Sequence, residues 1–218
     1  MLEKLTGRGL EADRYILYGT ACSAGRAGSQ EGYFMLYRMK QFFNGIFAQG
    51  AEGEEVELLR EALPEEGMRL FFQMNKADQR HALNVLKTAQ SLLQDAGTGQ
   101  QNIIQAEEAR KLLVRCCLLH DVGRGYEMGP VRKSLAVLLD SLFPNWAREY
   151  GRSAAAGYLG KILHRYYHHA AIGSEILRKQ GLTEEAKIVA LHHQEGFGEL
   201  DEQQKGILLV LKQADNRN

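Results

Sequence analysis

The chain has 218 residues, 44% hydrophobic and 25% charged, with 27 basic and 27 acidic side chains. Such a composition suits one large folded domain, or one domain with an extension, and excludes disordered and fibrous chains. Zero formal net charge provides no overall field for bulk nucleic acid or an anionic membrane surface, so any anion site has to be local.

Three cysteines, Cys22 and the neighbours Cys116 and Cys117, make neither an even disulfide framework nor a Cys-x-x-Cys pair, and are expected to be reduced, buried thiols. The opening MLEKLTGRGLEADRY lacks the apolar core of a leader peptide. No later stretch approaches the roughly 20 apolar residues that span a bilayer, so a cytoplasmic protein without membrane contact is expected.

In chain order, residues 1–70 read as an irregular, mostly helical N-terminal extension and 71–218 as the main domain. The Gly- and Ser-rich stretch GTACSAGRAGSQEGY (19–33) predicts a loop, and it lacks the Gly-Lys-Ser/Thr ending of a phosphate-cradling P-loop. With only three prolines and apolar residues at helical spacing, the fold class is all-α. From Ala77 onward the spacing predicts helices over 78–94, 103–121, 131–142, 146–164, 168–179, 184–193 and 203–216. Gly97, Gly99, Gly123, Gly129, Gly181 and Gly196 punctuate them, and Gly123 is expected to end the second. Phe71, Phe72 and the lone Trp146 read as core residues.

Polar residues intrude where the stripes call for apolar ones. His120 continues the face of Ala109, Leu112, Leu113, Cys116 and Cys117, with Asp121 beside it at a helix end. Asp215 joins the face of Ile207, Leu208, Leu211 and Ala214. His81 precedes Val85, Thr88 and Leu92 on one face, and His169 shares one with Tyr166, Gly173, Ile176 and Leu177. His193 follows the face of Ala186, Val189 and Ala190, whereas His192 follows Ile188, so either can point inward. A lone stripe histidine is usually a hydrogen-bonded core residue. Imidazoles and carboxylates at inward positions of five helices are instead what a divalent transition metal requires, because a buried carboxylate without a cation is costly. With no cysteine among the candidates, the set suits iron, manganese, cobalt, nickel or magnesium better than a thiolate zinc site. Asp121 can join one ion held by His81, His120 and Asp215 to another held by His169 and His193 or His192. Two such ions roughly 3.5–4 Å apart would clamp a phosphate and activate a water.

The order His81, His120-Asp121, His169, His193, Asp215 resembles the HD superfamily of metal-dependent phosphohydrolases over about Asp78 to Asn218. DQRHALNV is similar to the opening helix of HD domains, LLHDVGRG to their HD-x-G signature and YYHHAAIGSEIL to their H-x-x-x-G helix. The pair His192-His193 and the terminal ADNRN complete the series. The resemblance implies an HD-domain helical bundle with first-metal ligands at His81, His120, Asp121 and Asp215, and Asp121 as the catalytic bridge. Second-metal ligands fall on His169, preferred to His168 by its spacing to Gly173, and on His193 or His192, with His193 preferred by its spacing to Gly196. Arg124 stands where many relatives carry Lys, keeping the charge for phosphate contact. HHQEGFGELD departs from the Gly-Tyr-Pro pattern of the cyclic-dinucleotide phosphodiesterases.

Arg80, Arg124, Lys161, His164 and Arg165 are basic groups near the ligand segments, and Arg124, Arg80 and Lys161 are the candidates for substrate contact. The implied activity is hydrolysis of a phosphomonoester or phosphodiester of a nucleotide-like small molecule with one or two divalent ions. The alternative is a regulatory module that keeps the metal site and binds a nucleotide without turnover.

Overall fold

The structure, a computed structural model, describes residues 48–95, 104, 106–155 and 157–218. These belong to one compact unit. The loop at 19–33, Cys22, Gly97 and Gly99 lie outside the described residues.

Among the described residues there are nine α-helices, one 3-10 turn and no strand. The helices are α1 (Glu54–Ala62), α2 (Glu65–Gln73), α3 (Lys76–Asp95), α4 (Glu107–Leu119), α5 (Pro130–Leu142), α6 (Pro144–Tyr150), α7 (Gly157–Lys179), α8 (Thr183–Val189) and α9 (Glu202–Asn216), with the turn at Val122–Arg124 between α4 and α5. None is long and apolar enough to cross a membrane.

α4 is the central helix, packed against α3, α8 and α9, with α1 and α2 also on it. Its last four residues, Cys116, Cys117, Leu118 and Leu119, are all fully buried, as a helix enclosed by neighbours must be. Ala82, Val85, Leu86 and Ala89 of α3 and Ile207, Leu208, Leu211 and Ala214 of α9 complete this core. Each large side chain buried there contributes about 2 kcal/mol, against roughly 0–1 for the exposed ion pairs on the helix surfaces. Packing of the stripes therefore decides the fold. Cys116 and Cys117 are free thiols within it, their pKa values pushed up by burial.

Local signals set the helix ends. Pro130 and Pro144 occupy first turns, where a missing N–H costs nothing. α9 opens with a capping box in which Gln204 N donates to Asp201 Oδ1 at 2.8 Å and Asp201 N donates to Gln204 Oε1 at 3.1 Å. Gly181, at φ 79°, carries the chain from α7 into α8 through a left-handed conformation.

Several boundaries differ from expectation, among them the end of the helix predicted over 184–193, which stops at Val189. The predicted helices 146–164 and 168–179 are instead a short α6, ending at Tyr150, and one continuous 23-residue α7. Gly151, Ser153 and Gly157 break the first pattern, whereas the run HRYYHH holds no breaker. The helix predicted to reach Asp121 ends at Leu119.

A second, smaller core forms where α5 and α6 pack on the first half of α7: Met128, Ala136, Ala147, Ile162 and Leu163, bordered by Tyr150, Tyr166 and Tyr167. Phe71 is fully buried as expected. Phe72 and Trp146 are not core residues: they are 43% and 45% exposed, Phe72 edge-on to Phe71 and Trp146 stacked on Tyr150.

Candidate metal centre

His120 follows the last residue of α4 in helical conformation, and Asp121 (φ −100°, ψ 8°) turns the chain into Val122–Arg124. The turn lies flat on α7 because Gly123 has no side chain. A Cβ there would sit 1.9 Å from the carbonyl oxygen of His169 and 2.6 Å from the nitrogen of Gly173. A Cβ on Gly173 would in turn meet Gly123 N at 3.1 Å. The requirement at Gly123 is therefore space rather than backbone freedom, and this close approach puts His169 opposite Asp121.

Two sets of side chains offer ligand atoms within 4.8 Å of one another: His81, His120 and Asp215, and Asp121, His169, His192 and His193. Asp121 faces both. Its Oδ2 lies 3.3 Å from His120 Nε2 and 3.7 Å from His81 Nε2, while its Oδ1 lies 3.5 Å from His169 Nε2 and 4.0 Å from His192 Nε2. Asp215 Oδ1 is 2.9 Å from His81 Nε2 and 3.6 Å from His120 Nε2.

Three imidazoles are held alike. His120 Nδ1 donates to Cys117 O at 2.9 Å, His169 Nδ1 to Tyr166 O at 2.9 Å and His192 Nδ1 to Val189 O at 2.6 Å. A carbonyl only accepts, so the Nδ1 proton is fixed and Nε2 is the atom presented to the centre. The Nε2 atoms of His120, His169 and His192, with Asp121 Oδ1, are buried and lack a hydrogen-bond partner. Leaving one buried polar atom unsatisfied costs about 1–3 kcal/mol. Four such atoms, shared between the two sets around Asp121, fit divalent cation binding better than they fit a closed polar core.

The electrostatics agree. Burial, then the Arg124 guanidinium, pushes His169 down to about 3. Burial and the surrounding histidines hold His192 well below its ordinary value. Both are neutral at pH 7, with free lone pairs. His120 behaves oppositely: burial opposes its charge, but Asp121 and Asp215 outweigh it and push the ring up to about 10. The field between the two carboxylates calls for a positive charge.

His168, unlike His169, is exposed, its ring tilted against that of His164 at 4.6 Å. Of the His pair, sequence spacing favours His193, yet His192 is the buried ring with the unpartnered nitrogen. His193 is exposed at the rim, its ring 4.8 Å from that of His169.

Among the basic candidates, Arg124 reaches the centre, its Nη1 donating to Asp121 Oδ2 and lying 3.5 Å from Asp78 Oδ1. Arg80 does not: it donates to Glu55 at 2.7 and 2.9 Å and to the carbonyls of Gln49 and Gly50, tying α3 to α1. Its backbone neighbours His81, but its side chain leaves on another face of the helix. Lys161 is exposed on α7, without a hydrogen bond or ion pair among the described residues. His164 Nδ1 donates to Gly151 O, and Arg165 Nη1 donates to Arg124 O.

Three residues beside the centre escape sequence reasoning. Asp78 is buried, bonded by Asn75 Nδ2 at 2.5 Å, and Asn75 Oδ1 in turn accepts from Asp78 N. The Asn-x-x-Asp spacing at the start of α3 is the one local signal for this pair. Lys133, on α5, has its pKa lowered by burial and then by Arg124, while the negative charges of Asp78, Asp121 and Asp215 act in the opposite direction. No periodicity in α5 distinguishes it from a surface lysine.

The protein-family comparison matches the HD domain over residues 79–217. Searches of curated proteins and of solved structures return no match. The match covers more than half the chain and spans every candidate ligand from His81 to Asp215. The chain belongs to the HD-domain family, a superfamily of metal-dependent hydrolases.

Proposed function

We propose that this protein hydrolyses a phosphomonoester or phosphodiester of a small, nucleotide-like molecule with the help of one or two divalent ions, iron, manganese, nickel, cobalt or magnesium. The observation that carries the reading is Asp121: its two oxygens face separate histidine sets, and the buried Nε2 atoms of His120, His169 and His192 have no hydrogen-bond partner. On this reading His81, His120, Asp121 and Asp215 hold one ion, and Asp121, His169 and His192, with His193 at the rim, hold the other. When bound, such ions supply Lewis acidity and bring the pKa of a water toward neutrality.

The chain's own groups do the rest. Asp121 would join the two ions, because each of its oxygens faces one ligand set and its side chain is fully buried. Arg124, braced by Asp78, offers a guanidinium suited to the paired oxygens of a phosphoryl group, and Lys133 adds a second cation on the side of the same carboxylates. His81 and Asp215 are partly exposed and His193 is exposed, so substrate enters over that rim. The expected location is cytoplasmic, with neither membrane nor bulk nucleic acid as partner.

Metal analysis of the purified protein, combined with a panel of phosphate mono- and diesters, tests the reading. Asp121→Ala is expected to lower both metal content and turnover, the latter by at least about a hundredfold, since even losses among the groups that orient metal ligands reach that size. Equal turnover in wild type and variant would refute catalysis at this centre. The second reading, a regulatory module that binds nucleotide at a retained metal site, draws on Arg124, a protein cation already seated on Asp121. Stoichiometric metal and nucleotide binding without turnover across the panel would favour it.

A further inference from the structure

Beside the metal-bearing turn lies a groove of about 340 Å³ that none of the candidate metal ligands lines. Its apolar walls come from Leu70 of α2, Val122 of the turn and Ile176 of α7. Gln73, Tyr126 and Arg165 supply its polar groups. The volume falls within the range of small-molecule sites, as does the combination of apolar walls with a few polar groups.

Three features show a shape built for an anion carrying a ring. Arg165 is half-buried, yet its one hydrogen bond runs from Nη1 to the Arg124 carbonyl at 3.0 Å, and no carboxylate pairs with it among the described residues. Its remaining N–H donors are uncommitted, and a half-buried guanidinium without an acid partner is ready to bind phosphate or carboxylate. Gly125 makes room for this arginine: a Cβ there would stand 2.4 Å from Arg165 Nη1, and the residue sits at φ 61°, where a side chain is strained in any case. Tyr126 is 78% exposed at the edge of the groove, and no ring or cation stacks on it among the described residues. A large aromatic face left in water beside a free guanidinium suits a planar ring on one and an anion on the other.

We infer that this groove is a second ligand site, for a nucleoside monophosphate or a molecule of that class, with the ring on Tyr126 and the phosphate on Arg165. Occupancy would bear on the metal centre through the shared turn, since Arg165 grips the carbonyl of the residue whose guanidinium holds Asp121. Binding in the groove does not depend on the proposed hydrolysis.

Isothermal titration of the full chain in chelating buffer, with adenosine 5′-monophosphate as probe and inorganic phosphate and adenosine as its two halves, tests it. The monophosphate is expected to bind more tightly than either half. Arg165→Met and Tyr126→Ala should each weaken it at least about tenfold, whereas Asp215→Asn should leave it within about twofold. Should Arg165→Met fail to fold by circular dichroism, Arg165→Lys and the surface variant Tyr126→Ala carry the test. No binding at millimolar monophosphate overturns the inference. So does binding lost in Asp215→Asn but kept in Arg165→Met, which would place the anion at the metal centre. Phosphate binding as tightly as the monophosphate would overturn the assignment of Tyr126.

Discussion

His169 and His192 present lone pairs at neutral pH while His120, between two carboxylates, keeps its proton, so the three rings of one centre answer differently to a metal ion. An ion arriving at pH 7 has to displace the His120 proton but none from the other two. Calorimetry in buffers of different ionisation enthalpy should therefore find about one proton released per chain on loading the first ion, and His120→Ala should abolish the release. In the metal-free protein the same shifts set the acid and alkaline limits. Unfolded histidine protonates near 6.5 and folded His169 only near 3, so between those values the unfolded chain binds more protons and stability falls as pH drops. His120 works the other way: its contribution is complete below pH 6.5 and is lost as pH rises toward 10. A series of urea midpoints with chelator should show both flanks, and His169→Ala should flatten the acid one. The His pair adds a separable outcome: His192→Ala should cost metal affinity at least about tenfold and His193→Ala less, as equilibrium dialysis would show. Equal losses would place both rings on the ion.

At the scale of elements, the contact between the turn and α7 is the most demanding joint in the site. Gly123→Ala drives a methyl into backbone atoms that cannot rotate away, and about 3 kcal/mol of destabilisation is expected, with loss of metal. Gly173→Ala, whose added carbon meets its neighbour at 3.1 Å, should cost about 1 kcal/mol. Thermal melts and metal content check both, and a silent Gly123→Ala would mean that the turn does not rest on α7. Arg80→Ala should cost about 1 kcal/mol by loosening α1 from α3, with kcat unchanged. A raised KM in that variant would return Arg80 to the substrate.

The same joint marks the limit of what is legible in the amino-acid sequence. Stripe positions locate His81, His120, His169 and Asp215 because helical periodicity is local, and burial of those stripes is what folds the chain. Gly123 is visible only as punctuation, since its real constraint is a carbonyl in α7, distant in sequence. The choice between His192 and His193 depends on how the short α8 ends, and adjacent residues at a helix end cannot be assigned inward or outward by period alone. Asp78 and Lys133 are invisible as site residues because charges at helix starts are common for reasons of capping and solvation.

At the scale of the whole molecule, one core gathers α1 to α4, α8 and α9, and a smaller one sits under α5 and α6, with α7 common to the arrangement. Metal binding to the folded state alone raises stability by about 2.7 kcal/mol at a hundredfold excess over Kd, so added Mn²⁺ should raise the melting temperature in wild type and not in Asp121→Ala. The three Nδ1 bonds to backbone carbonyls bear on how that metal would come and go. Each runs to the carbonyl three residues earlier, so the aim of each ring is inherited from the helical backbone beside it and does not wait for an ion. The site is thus assembled by folding rather than by its cargo. An ion should exchange without a conformational step, and stripping it should leave the helices in place, with unchanged far-ultraviolet circular dichroism and full recovery on reloading.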